Sequence, residues 1–205
     1  MPVTSWTLTE LHEILERGEG VPEAWLVEQA PSGDLRMIWA ASQDPRVLLS
    51  FAARFAKRPV VVSAACKVAA TVVHLTKPDD PRPRRVLTTV ERWARGEASD
   101  EDVSCVKEIA DDLRREARES ASSAYAVDAI AHTAGLALED RRFVGSAASE
   151  VAACAAMAVA AAAEEAGTTL DSFVERDEHL AVCARVIRDQ LPWPSLDQLL
   201  ADFTG

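Results

Sequence analysis

Apolar residues along this chain return with a helical rather than an alternating rhythm. After Asp44-Pro45, a pair that reads as cap and first helical residue, Val47, Leu48, Phe51 and Phe55 share one face. Pro59 opens the next helix, whose stripe of Val62, Cys66, Ala69, Ala70 and Val73 is spaced for one buried side. Val60-Val61-Val62 has strand propensity, but Ala64, Ala65, Ala69 and Ala70 follow it. Lys67 also falls at a helix-compatible polar position, so the segment is read as helix. Val86, Leu87, Val90 and Trp93 form a further stripe that Gly96 ends. Ser99 and Asp102 are spaced like a capping box at the start of a long helix through Val106, Ile109 and Leu113, with a break expected near Ser120–Ser123. Asp140 is expected to begin an alanine-rich helix closed by Gly167. Asp171 would cap another, through Phe173, Val174, Leu180, Val182, Val186 and Ile187.

These elements predict an all-α fold: antiparallel helical hairpins stacked into one helical bundle or a short irregular solenoid. The pairs foreseen are Ala64–Leu75 with Arg84–Arg95, and the long central helix with Asp140–Ala166. Residues 1–42 read as an N-terminal helical extension carrying Trp6, Trp25 and Trp39, and residues 43–205 as the main domain. Near the C-terminus, Pro192-Trp193-Pro194 breaks a helix. Ser195 caps a last short one that Trp193 would pin to the body.

Composition narrows the picture. Aromatic residues make up only 5% of a chain that is 48% hydrophobic, so alanine supplies much of the core and helices must approach closely. The net charge of −11 argues against nucleic-acid affinity, since phosphate repels an acidic surface. That charge is uneven. Residues 51–95 hold ten Lys/Arg against three acids, a local +7, which leaves −11 − 7 = −18 elsewhere. Cys66, Cys105, Cys154 and Cys183 are widely spaced and read as buried free thiols of a reducing cytoplasm. Met1–Trp6 lacks the pattern of a signal peptide, and the apolar run Val151–Ala163 is short for a bilayer, so a cytoplasmic protein without a membrane partner is expected.

Candidate chemistry is sparse. The i, i+4 pairs Asp128/His132 and Glu175/His179, the latter extended by Cys183, could each place ligands on one helical face. The Glu-x-x-His spacing of a di-metal bundle is absent. The doublets Asp79-Asp80, Asp111-Asp112 and Glu164-Glu165 point about 100° apart on a helix and read as caps or solvated faces rather than acid–base pairs. No nucleophile elbow, P-loop or dinucleotide glycine pattern is present. No catalytic residue, metal or cofactor is expected.

One segment is unusual. Lys77-Pro78-Asp79-Asp80-Pro81-Arg82-Pro83-Arg84-Arg85 places three prolines in six residues and cannot propagate a helix, while its aspartates can cap the one that Pro83 opens. Asp79 and Asp80 would pair with Arg82, Arg84 and Arg85 to fasten the turn. Together with Trp93 and Trp193, these residues are the candidates for a structural motif or an interface. The segment, running on to Glu91-Arg92-Trp93-Ala94-Arg95-Gly96-Glu97, resembles the hallmark of the immunity proteins of bacterial polymorphic toxin systems. The likeness extends over about residues 45–200, including Cys183–Arg188 and Leu191-Pro192-Trp193. It implies an all-α, non-catalytic protein that binds and neutralises a toxin, with the acidic surface facing a basic toxin domain. A helical scaffold or adaptor within a larger assembly is the alternative.

Overall fold

A computed structural model describes residues 39–40, 42–117, 120–140, 143–167 and 172–192, apart from the side chains of residues 54 and 55. Among these, every regular element is helical: α1 Pro45–Phe55, α2 Arg58–Ala70, a 3-10 turn Val73–Leu75, α3 Arg82–Ala94, α4 Asp100–Glu116, α5 Ala121–Leu138, α6 Val144–Glu165 and α7 Ser172–Gln190. The expected N-terminal helices, the Asp171 cap, Trp193 and the last short helix lie outside the described residues.

Local chemistry sets the boundaries. Asp44 accepts a 2.9 Å bond from the Arg46 amide and Pro45 takes the first helical position, where its missing N–H costs nothing. Ser99 and Asp102 form the reciprocal capping box of α4: the Asp102 amide donates to Ser99 Oγ at 3.1 Å and the Ser99 amide to Asp102 Oδ2 at 2.8 Å. The long helix expected after Ser99 does break, and Ser120 caps α5 by accepting from the Ser123 amide.

The stack is a bundle rather than an open solenoid, because α2 packs against α1, α3, α5, α6 and α7 and not only its chain neighbours. The single stripe expected for α2 is therefore too narrow. Val61, Ala64, Ala65 and Val68 are buried along with Val62, Cys66 and Ala69, while Ala70 is exposed. A helix surrounded by partners is apolar on most sides, which hides the 3.6-residue period. Both foreseen pairs form, α2 with α3 and α5 with α6, the latter the most extensive contact among the described helices. Short connections make such neighbours run antiparallel.

Small residues bring the helices together. Where α1 meets α6, Ser50 and Ser149 share a 2.7 Å hydrogen bond, and Ser149 Oγ also donates to the Gly145 carbonyl at 2.9 Å. Helix α6 is long and apolar enough to cross a membrane (mean hydropathy 1.5 over its best stretch). Half of that stretch is buried, with α1, α2, α5 and α7 packed around it. Trp39, assigned to the extension from sequence, is buried against Phe51 with ring centroids 5.8 Å apart. Arg188 of α7 donates to the Ser42 carbonyl at 2.6 Å, so the residues just before α1 belong to the same core.

Candidate functional surfaces

The proline-rich turn is fastened through one arginine. Asp80 Oδ1 accepts from the Arg82 amide at 2.9 Å, which starts α3 one residue before Pro83, and Asp80 grips the Arg82 guanidinium through Nε at 3.0 Å and Nη2 at 2.6 Å. The same guanidinium reaches across to α4, where Nη1 donates to Glu116 Oε1 at 2.9 Å. Its hydrogen bonds hold the Asp80 carboxyl below its ordinary range against the opposing effect of burial, and hold Glu116 down likewise. Paired with Glu116 and then Asp80, Arg82 becomes still harder to deprotonate.

The fastening expected from sequence is thus narrower than drawn there. Among the described residues Asp79, which is exposed, has no ion pair and Arg84 and Arg85 are unpaired, and the second anchor is Glu116, thirty-four residues along the chain from Arg82. Beside the turn lies a cleft of about 530 Å³, with Leu75, Pro78, Leu113 and Val127 as apolar lining and the Asp80–Arg82–Glu116 triad at its polar edge. Both carboxylates are bonded to the one guanidinium, which leaves the triad a net charge of −1. This is the chemistry of a clasp.

The end of α3 is equally structural. Gly96 takes φ +76°, the Glu97 amide donates to the Arg92 carbonyl at 2.8 Å and the Gly96 amide to the Trp93 carbonyl at 2.8 Å, the paired bonds of a Schellman cap. Glu97 pairs with Arg95 at 3.0 Å. Trp93 is buried, its indole Nε1 donates to Asp100 Oδ1 at 2.6 Å, and the Arg58 guanidinium lies 5.1 Å from its ring centroid. The Trp-Ala-Arg-Gly-Glu run is a turn between α3 and α4 written in full.

Two surfaces remain. On α3, Arg84, Arg85, Thr88 and Arg92 are exposed over a shallow groove shared with α4. On α7, Phe173 is 66% and Val174 55% exposed, beside the exposed acids Glu175, Asp177 and Glu178. Phe173 and Val174, expected among the apolar residues of this helix, do not pack. The packed face is instead Ser172 in the first turn and Cys183, Ala184 and Ile187 further along the helix, and Phe173 and Val174 lie off it.

The thiols and imidazoles are mostly absorbed by packing. Burial pushes the Cys66 thiol up to about 12, and those of Cys154 and Cys183 up to about 11. Cys105 is exposed, contrary to the expectation of four buried thiols. His179 meets Thr71 Oγ1 at 3.0 Å rather than Glu175, and its pKa is lowered by burial and then by nearby His74. Asp128 receives Arg114 Nε at 2.8 Å, while burial and then Arg114 lower the pKa of His132. Among the described residues, no group of three or more His, Cys, Asp and Glu side chains is placed to hold a metal ion. No family model, curated protein or solved structure matches this chain.

Proposed function

We propose that this chain is a non-catalytic protein-binding domain, and specifically an immunity protein that neutralises a toxin by covering it. The observation that carries the reading is the first turn of α7. Two large apolar side chains stand in solvent, Phe173 and Val174, flanked by Glu175, Asp177 and Glu178. Exposed apolar anchors inside a charged rim are the composition of an interface hot spot, and the acids select a basic partner. Arg176 stacks 5.3 Å from the Phe173 ring and pairs with Asp177 at 2.9 Å, which leaves Glu175 and Glu178 to meet incoming cations.

The choice of a toxin as partner rests on the resemblance of residues 78–97 to the immunity proteins of polymorphic toxin systems. Such a protein acts in the cytoplasm of the cell that makes the toxin. The test is a calorimetric titration of the purified chain with the protein encoded beside its gene. A stoichiometric complex that weakens as salt rises, and weakens at least about tenfold in Phe173→Ser with Glu178→Lys, supports the reading. A neighbour product that does not bind, or binds both forms equally, overturns it.

A further inference from the structure

The Arg84–Arg85–Arg92 groove has no part in the clasp and lies on different helices from the acidic end of α7, so it is argued on its own observations. It runs between α3 and α4, encloses about 550 Å³, and has the buried Val106 in its floor. Arg84 and Arg85 make no ion pair among the described residues, and the Thr88 and Thr89 hydroxyls make no hydrogen bond there. Arg92 donates one Nη2 bond to the Glu97 carbonyl at 3.1 Å and lies close enough to Asp102 and Glu97 to help lower the pKa of both, but makes no direct ion pair among the described residues. The one carboxylate in the groove, Asp102, is occupied by the Ser99 amide and hydroxyl at 2.8 Å each. In a chain of net charge −11, two guanidiniums and two hydroxyls without acceptors among the described residues, beside the partly engaged Arg92, form an anion-binding surface on one face.

We propose that this groove binds an acidic, extended segment of a partner protein, with carboxylates repeating every third residue. Arg85 and Arg92 are seven residues apart on one helix, roughly 10 Å along its axis. An extended polyproline-type segment returns to the same face every three residues, after about 9 Å, so successive carboxylates meet successive guanidiniums. Thr88 and Thr89 lie between them as donors to the segment's backbone carbonyls. A nucleic acid fits less well. Its phosphates continue beyond the groove along α4, which over residues 100–116 holds seven acids, Asp102 among them, against three bases, a net −4 that repels a long polyanion.

Cys105 lies in the groove and is the one exposed thiol, so it reports occupancy directly. The probe is a short peptide with glutamate at every third position, followed by fluorescence anisotropy and by the rate of Cys105 alkylation. The expected result is saturable binding that protects Cys105 and weakens with salt. Each of Arg84→Gln, Arg85→Gln and Arg92→Gln should lower affinity about tenfold, as loss of a charged hydrogen bond does. Melting curves verify that each variant is folded. Independently of any variant, the same peptide with glutamine for glutamate should leave Cys105 unprotected. Phe173→Ser with Glu178→Lys should leave peptide binding unchanged, which separates failure here from failure of the toxin-binding reading. Absence of protection by the glutamate peptide, protection by the glutamine peptide, or tighter binding of an oligothymidylate of equal charge overturns the proposal.

Discussion

The indole Nε1 of Trp93 and the Oδ1 of Asp100 are 2.6 Å apart, and this bond closes the turn between α3 and α4 from inside. Trp93 also fills the space between the helices, so two contributions can be separated. Trp93→Phe keeps most of the ring and loses the donor, and is expected to cost about 1 kcal/mol. Trp93→Ala removes the ring as well, and is expected to cost about 3–5 kcal/mol. Denaturant melts of the two variants give both values; equal stability of Trp93→Ala and wild type would show that the ring carries no packing.

The Arg82 clasp makes a prediction about acid. Asp80 and Glu116 are both held below their ordinary pKa by Arg82. A carboxyl depressed in the folded state stabilises the fold above its unfolded pKa, and that contribution is lost as pH falls through the folded value. The difference in melting temperature between wild type and Arg82→Gln should therefore be full at neutral pH and shrink below about pH 4. A difference that grows on acidification would mean that the clasp is not what the substitution removes.

Two glycines should respond in opposite directions. Gly96 has φ +76°, where a β-carbon is strained, so Gly96→Ala is expected to destabilise by about 1 kcal/mol. Gly145 is helical. A β-carbon there would meet Ala53 Cβ at 3.5 Å and Ser50 Cα at 3.6 Å, ordinary contact distances. Gly145→Ala should thus gain helix propensity and raise stability by up to about 1 kcal/mol. Chemical denaturation of both settles the signs.

Thiol reactivity should be graded. In the native protein Cys105 reacts first with an alkylating reagent. Cys66 and Cys183 resist, being buried and protonated with thiols near 12 and 11, and Cys154 is intermediate in exposure. Mass spectrometry of a time course should show one fast label in native protein and four in denaturant. Fast native labelling of Cys66 would contradict the packing of α2.

How much of this was legible in the sequence depends on how far each partner lies along the chain. Caps were readable because their chemistry is local: Asp44 to Arg46 and Ser99 to Asp102 span two and three residues. Helix α2 was readable as a helix, since four alanines match its four valines and Lys67 falls at a helix-compatible position, but its burial on several sides was not. Periodicity signals one packed face and is silent when there are several. Glu116 was missed because its partner is thirty-four residues away and nothing in a solvated Glu marks it as the anchor of Arg82. Phe173 and Val174 misled for a different reason: they continue an apolar pattern on the solvent side of a helix whose first turn buries the polar Ser172 instead. Trp193 lies outside the described residues.

The central claim is a division of labour, with residues 80–100 holding the fold and the first turn of α7 meeting the partner. The most direct measurement is the affinity of the neighbouring gene's product for three forms of the chain, below the melting temperature of each. Asp80→Ala should melt earlier than wild type yet bind the partner with unchanged affinity, whereas Phe173→Ser with Glu178→Lys should melt like wild type and bind at least about tenfold more weakly. If Asp80→Ala abolishes binding while the α7 variant binds normally, the assignment is reversed and the account is wrong.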